Sequence, residues 1–359
     1  MIIRFLKWIL SWRIWGPKIC AYPFSRMEIS GKDFFLSCCA DWMAPSYYKL
    51  EKGLKPWNGP QALELRKKIL NGDYSYCQTS ICQVPRYPLF FLKLLGLFDL
   101  FSKVLPNTPL SKNNLKAMSN GESEMPDSPK SLVIQGDFRC NLDCPSCRSQ
   151  LITTLDASAE KQLERASSDL LKYQDAEIIQ LAGDGEPFFS SWHREQIKNF
   201  TPQNYPHLKK LILYTNGLLV DSENFQLLSP GSKMINNIIV SIDAGDEATY
   251  KRVRRGDWQR LLRNLKWMSE LRQKGVLESF RICFVARKEN YNSMSAFVDL
   301  GHSLKVDQII FRQLVPWQGM GISNYSEEAL HLPENPLHPR YRELCLQLAR
   351  RSKVVMRAL

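Results

Sequence analysis

Gln135-Gly-Asp-Phe-Arg-Cys140-Asn-Leu-Asp-Cys144-Pro-Ser-Cys147-Arg148 decides how the rest of the chain is read. Three cysteines fall in one short loop with the spacing CxxxCxxC. Soft thiolates clustered this tightly select iron–sulfur or zinc. Three ligands on a four-iron cluster leave one iron open, which a substrate-binding cluster needs. A structural zinc site wants a fourth ligand nearby, and none lies in this loop.

Working outward, the loop follows a strand at Leu132–Gln135, and the pattern then alternates. Residues 157–173, 191–199, 258–273 and 293–304 have helical period. Ile178–Ala182, Leu211–Tyr214, Ile238–Ile242, Phe280–Val285 and Gln308–Arg312 read as further strands. This βαβα rhythm predicts an α/β fold with a parallel sheet and right-handed crossovers. Six strands suit a partial (β/α)6 barrel better than a closed eight-unit one. In such sheets chemistry sits at the C-terminal strand ends, where the cysteine loop falls.

The 359 residues allow two domains, and 44% apolar with 23% charged residues is a globular composition. The net charge of +12 favours an acidic partner over a neutral one, with a plain solvated basic surface as the alternative. Ten cysteines, clustered in a long chain, point to a reducing cytoplasm and metal-bound thiolates rather than disulfides. Residues 1–19, MIIRFLKWILSWRIWGPKI, lack the clean apolar core and cleavage site of a signal peptide and are too charged to span a bilayer. They read as a helix packed on the body. The alternative is an amphipathic helix making weak contact with the inner membrane face. Residues 89–101, LFFLKLLGLFDLF, form an intensely apolar stretch for which burial is expected.

Composition divides the chain four ways. Residues 1–105 are an N-terminal cysteine-rich region, 106–130 a polar linker, 131–315 the barrel, and 316–359 a C-terminal helical extension. Cys283 and Cys345 read as core residues.

CNLDCPSCR resembles the signature loop of the radical S-adenosylmethionine (SAM) superfamily, and the resemblance spans about residues 131–312. It implies a [4Fe–4S] cluster on Cys140, Cys144 and Cys147 and SAM on the open iron. It further implies reductive cleavage to a 5′-deoxyadenosyl radical that abstracts a substrate hydrogen. An electron donor such as flavodoxin or ferredoxin goes with that chemistry. Gly183, Gly185, Glu186 and Pro187 are similar to the family turn that holds the SAM amino group. Asn216 and the segment of Ser241 and Asp243 resemble those that approach its ribose and methionine. On residue chemistry alone these are also turn and capping residues. Arg254 or Arg255 could pair with a SAM carboxylate, or belong to a solvated helix face.

The N-terminal region is similar to a SPASM/twitch auxiliary-cluster module: Cys20, a hairpin closing on Cys38 and Cys39, a Trp57-Asn58 turn, an Arg-bearing helix and the Cys77–Cys82 pair. In most relatives this module follows the barrel, and here it precedes it. The resemblance implies a second iron–sulfur cluster on Cys20, Cys38, Cys77 and Cys82, with Cys39 the alternative to Cys38 and electron transfer as its role. Structural zinc is the competing reading. The implied substrate is a peptide undergoing maturation or crosslinking. The alternatives are a sugar or small metabolite that is dehydrogenated or epimerised, and a non-catalytic iron–sulfur or zinc protein. Nucleic acid is not expected as a partner. No general acid or base can be named; Tyr214 and Trp317 near strand ends are candidates only.

Overall fold

The computed structural model describes residues 18–30, 34–36, 38, 43, 47, 56–79, 82, 84, 86–97, 108–181, 185–316 and 324–357. The chain forms two compact units. The first comprises Met1–Gln135, Glu164–Gln180 and Tyr205–Lys209, and the second Gly136–Leu163, Leu181–Asn204 and Lys210–Leu359. The N-terminal segment before Lys18, Cys39, Gly183 and Trp317 lie outside the described residues.

The first unit opens with β1 (Lys18–Ile19), β2 (Arg26–Ser30) and β3 (Phe34–Leu36). It continues with α1 (Pro60–Leu70), β4 (Tyr87–Pro88), α2 (Leu89–Leu97), α3 (Lys112–Ser119) and β5 (Ser131–Ile134). The chain passes between units within α4 (Ala157–Leu170) and β6 (Ile178–Leu181). In this unit β5 is the strand the sequence predicts before the cysteine loop. It pairs in parallel with β2, Ile29 opposite Ile134, and β2 pairs antiparallel with β3. Sequence pattern did not reveal β2, because a charge interrupts its run. Met27 and Ile29 are buried, and Glu28 between them is buried against Arg26 at 3.2 Å.

Helix α1 starts at Pro60, whose fixed φ suits a first turn, and buries Ala62, Leu65 and Ile69 at helical spacing. Arg66, on the same stripe, is fully buried and organises the unit. Its Nε donates to the Pro23 carbonyl at 2.7 Å, Nη1 to Asn58 Oδ1 at 2.9 Å and to the Ser123 carbonyl at 3.1 Å, and Nη2 to the Trp57 carbonyl at 2.8 Å. Its guanidinium also lies 4.2 Å from the Trp57 ring centroid.

Segment 106–130, expected as a polar linker, is partly helical. Ser111 caps α3 by accepting from Asn114 N at 3.0 Å, and Asn114, Ala117, Met118 and Met125 are buried. Within it the Asn114 side chain donates to the Asp127 carbonyl at 3.2 Å and accepts from the Asp127 N–H at 2.9 Å. In α2, Phe91, Leu92 and Leu95 are buried as expected, while Phe90 and Leu97 are exposed.

The second unit runs α5 (Ser191–Asn199), β7 (Lys210–Thr215), α6 (Ser222–Leu227), β8 (Ile235–Ser241), α7 (Glu247–Arg254), α8 (Trp258–Gln273), β9 (Ser279–Ala286), α9 (Met294–Ser303), β10 (Gln308–Gln313), α10 (Tyr325–Glu328), α11 (His338–Leu348) and β11 (Val354–Arg357). Strands β7, β8, β9, β10 and β11 pair in parallel in that order. This is the α/β, parallel arrangement that the alternation predicts. One face packs on helices: Phe284 meets Phe297 of α9 at 5.1 Å between ring centroids, and Ile282 and Ile309 lie against Gly301. A Cβ at Gly301 would come within 2.6 Å of the Ile309 side chain, so glycine lets α9 pack closely on the sheet.

The C-terminal run, expected to be wholly helical, divides. Helix α11 ends at Leu348, Lys353 takes a left-handed φ of 63°, and Val354–Arg357 adds to β10 in parallel. The β-branched pair Val354-Val355 favours a strand, and an edge site was open beside β10. No helix among the described residues is long and apolar enough to cross a membrane.

Candidate active site

The cysteine loop is anchored before its first cysteine. Asp137 is fully buried and accepts from the Arg139 N–H at 3.0 Å, the Arg139 guanidinium and the Ser190 hydroxyl at 2.5 Å. Burial disfavours its charge, but the hydrogen bonds from Arg139 and Ser190 outweigh it and hold the carboxyl below its ordinary range. Ser190 also caps α5, accepting from His193 N at 3.0 Å. The loop closes where Cys140 N donates to the Ile152 carbonyl at 2.9 Å, and it turns where Cys147 N donates to the Cys144 carbonyl at 2.9 Å.

Each sulfur faces an N–H donor. Cys140 Sγ accepts from Leu142 N at 3.4 Å and lies 3.9 Å from Asn216 Nδ2. Cys147 Sγ is 3.5 Å from Arg148 Nη2, and Cys144 Sγ is 3.8 Å from Arg254 Nη1. Burial pushes the Cys140 thiol up to about 11, with the charge of Glu186 adding to it. Burial also raises Cys144, against the opposing charge of Arg254. Such thiols ionise when a metal supplies positive charge. N–H donors and two arginines around three soft sulfurs therefore fit an anionic thiolate-bound iron–sulfur cluster. Among the described residues no three His, Cys, Asp or Glu side chains converge on one ion. A [4Fe–4S] cluster instead takes its thiolates on separate irons.

The segment after β6 packs backbone to backbone on this loop. Glu186 N donates to the Arg139 carbonyl at 2.9 Å, and a Cβ on Gly185 would stand 2.3 Å from the Asp137 carbonyl oxygen. Glycine is thus required there. Pro187 is buried beside it. Glu186 itself is 1% exposed and turned inward: its carboxylate accepts from Thr215 Oγ1 at 2.7 Å, Asn216 N at 2.7 Å and Phe188 N at 3.2 Å. Burial raises it to about 6 despite those bonds. The carboxylate thus ties the Gly-Glu-Pro turn to the end of β7.

Asn216 continues the chain of contacts, donating from Nδ2 to Asn141 Oδ1 at 2.8 Å. Ser241 ends β8, half-buried, and Asp243 follows with a left-handed φ of 58°. Asp243 Oδ1 accepts from Val285 N at 2.7 Å, and Oδ2 pairs with Arg254 Nη2 at 2.7 Å. Arg255 pairs with Asp143 at 2.6 Å. Both arginines that the sequence offered to a SAM carboxylate are therefore engaged with the cysteine loop or its neighbours. Asp137, Arg139 and Asn141 were not foreseen. Their signal was a pair of charges immediately before the first cysteine, which pattern alone does not separate from solvated loop residues.

In the first unit Cys20 and Cys38 are buried, and Cys77 and Cys82 half-buried. Burial, with the charges of Cys82 and Cys77 adding to it, pushes Cys20 up to about 12. The charges of Cys20 and Cys38 both bear on Tyr22. Cys77 N donates to the Tyr74 carbonyl at 2.8 Å, and Cys82 N to the Gln78 carbonyl at 2.9 Å. The fold brings Cys20, Cys77 and Cys82 within electrostatic range of one another. The Trp57-Asn58 turn and the arginine of α1, read as parts of one module, meet through Arg66.

Residues 138–301 match the model of the Radical SAM superfamily. That segment is similar to the radical SAM domain, whose superfamily consists of enzymes that use a [4Fe–4S] cluster and SAM. Among solved structures the chain is similar to Streptococcus suis SuiB bound to S-adenosylmethionine, at 19% identity over 74% of this chain and 61% of that one, with a TM-score of 0.45. It is similar to the same protein bound to precursor peptide SuiA, at 16% identity over 82% of this chain and 65% of that one, TM-score 0.45. TYW1 with a lysine-pyruvate adduct bound is similar at 16% identity over 59% of this chain and 68% of that one, TM-score 0.39. The chain thus spans less than two thirds of the SuiB structures it matches. No curated protein matches it.

Proposed function

We propose that this chain is a radical SAM oxidoreductase acting on a peptide, in maturation or crosslinking, with an auxiliary iron–sulfur cluster in its first unit. The observation that carries the reading is the cysteine loop itself: three sulfurs on one strand-end loop, each facing an N–H donor, inside the matched domain. When bound, the cluster and SAM supply the hydrogen-abstracting radical. The chain does the rest. Cys140, Cys144 and Cys147 would hold the cluster, Arg148 and Arg254 would offset its charge, and Asn216 would donate toward the Cys140 sulfur. Gly185, Glu186 and Pro187 form part of the segment over which the SAM amino group would lie, and Gly183 is assigned to the same role from the sequence. Asn216, Ser241 and Asp243 line its approach to the ribose and methionine.

Cys20, Cys77 and Cys82, with Cys38 or Cys39, would hold the auxiliary cluster. A fully ligated cluster cannot bind substrate, so its role would be electron transfer. The net charge of +12 supports an acidic peptide. A donor of the flavodoxin or ferredoxin kind would reduce the first cluster.

The test is anaerobic reconstitution followed by dithionite and SAM. The expected product is 5′-deoxyadenosine. Its absence with the cluster spectroscopically intact would sink the enzyme reading in favour of a non-catalytic iron–sulfur protein.

A further inference from the structure

Tyr250, in α7, is fully buried, and its hydroxyl makes no hydrogen bond among the described residues. A buried hydroxyl without a partner carries the cost of leaving water, and native proteins hold few of them. The ring is fixed on several sides. Trp258 lies 5.3 Å away between ring centroids. Arg255 ends α7 with a left-handed φ of 55° and turns the chain so that Gly256 meets the ring. A Cβ at Gly256 would stand 2.9 Å from the Tyr250 hydroxyl and 3.0 Å from Leu218 Cδ1. The hydroxyl is therefore held by the segments that follow Arg254 and Asn216. Arg254 and Asn216 themselves face the sulfurs of Cys144 and Cys140.

Burial raises the phenol well above its ordinary range, so it keeps its proton and is a neutral donor. The charges that bear on it are those of Arg254, Cys144, Asp243 and Glu186. Arg254 has only donors. Asp243 has both carboxylate oxygens engaged, one by Val285 N at 2.7 Å and one by Arg254 at 2.7 Å. Glu186 accepts from Thr215 Oγ1, Phe188 N and Asn216 N. Cys144 is different. As a thiol it directs its proton at the Arg254 carbonyl, 3.7 Å away. As a thiolate on iron it keeps no proton and becomes an acceptor, and the cluster brings further anionic sulfur with it. Arg254 Nε is also buried without a hydrogen-bond partner among the described residues. Two unmet donors of α7 thus lie within electrostatic reach of a sulfur that gains negative charge when the site is filled.

We propose that the Tyr250 hydroxyl donates a hydrogen bond to the iron–sulfur cluster, on its Cys144 side, and that this bond exists only when the cluster is bound. A donor to cluster sulfur stabilises the more negative, reduced state and so raises the reduction potential. Tyr250 thereby eases the one-electron reduction that precedes SAM cleavage. The inference rests on the cluster assignment above.

Tyr250→Phe removes the hydroxyl and keeps the ring. The full chain is reconstituted anaerobically without SAM. The cluster followed is the one whose electron paramagnetic resonance signal disappears when Cys140, Cys144 and Cys147 are changed to Ala. Iron content should be unchanged. Poised at the wild-type midpoint potential, the reduced fraction of the variant should be at least threefold lower. The metal-free variant should be at least as stable in urea as metal-free wild type, because in the empty protein the hydroxyl has no bond to lose. An unchanged reduced fraction overturns the proposal. So does a metal-free variant that is clearly less stable, which would give the hydroxyl a structural partner. A shift that appears only once SAM is added overturns it too, and gives the hydroxyl to SAM. If Tyr250→Phe takes up no iron, Gly256→Ala, whose Cβ displaces the hydroxyl, is read in the same way. Uptake by neither variant means that Tyr250 serves the fold, and the proposal falls. Wild type that takes up no iron at the Cys140 loop sinks the cluster assignment itself.

Discussion

Cys140, Cys144 and Cys147 lie within one loop of the second unit, whereas Cys20, Cys38, Cys77 and Cys82 come from separated places in the first. The local group needs little to assemble it. One strand end, the Asp137 hydrogen bonds and the close packing of Gly185 fix the loop. The dispersed group depends on long-range packing, and a single buried cation, Arg66, gathers the carbonyls of Pro23, Trp57 and Ser123 around α1. A ligand set drawn from one loop survives distant damage. A set drawn from across a unit fails with that unit's core.

The largest expected effect comes from removing the local set. Changing Cys140, Cys144 and Cys147 together to Ala should abolish 5′-deoxyadenosine release and leave one cluster's worth of iron on the first unit. Iron that vanishes entirely, or does not fall, would refute two separate sites.

Next, Arg66→Ala strands several buried oxygens, each worth roughly 1–3 kcal/mol when unpaired. Unfolding of the first unit should become easier by at least about 3 kcal/mol in urea titrations. Iron bound by the Cys140 loop should stay. Loss of iron from the Cys140 loop as well would erase the contrast drawn above.

A smaller effect concerns pH. The folded-state pKa of Glu186, about 6, exceeds its ordinary 4.5. The folded protein therefore holds the extra proton, and the stability this gives is present below pH 4.5 and lost as pH rises through 6. The unfolding free energy of metal-free wild type, relative to Glu186→Gln, should fall by about 2 kcal/mol across that window. A flat difference would mean that burial does not govern this carboxyl.

The smallest is on ligand affinity. Glu186→Ala should weaken SAM binding about tenfold, about 1.4 kcal/mol, with the Cys140-loop iron retained. Equilibrium dialysis with labelled SAM reads it; unchanged affinity removes Glu186 from the cradle.

The barrel strands were legible because their apolar runs are continuous. Ile178–Leu181 and Ser279–Ala286 lie within a residue or so of the spans read from sequence. Strand β2 was not, since Glu28 interrupts it and only its pairing with β5 makes it a strand. The C-terminal strand escaped notice for a similar reason. Its short run follows a basic helix, and its partner β10 is about 45 residues earlier. In the site, the cysteines and the Gly-Glu-Pro turn carried their own signal. Asp137 and Arg139 did not, because burial is what distinguishes them from ordinary loop charges.

By itself the sequence determined the cysteine spacing, the alternating strands and helices, and hence a loop able to carry soft ligands at a strand end. These are local properties, set by neighbours a few residues apart. Only the tertiary structure decided that Glu186 turns inward to Thr215 and Asn216, and that Arg254 stands against Cys144. Each joins residues tens to more than a hundred positions apart. Burial and register, which no short stretch of sequence encodes, give them their chemistry.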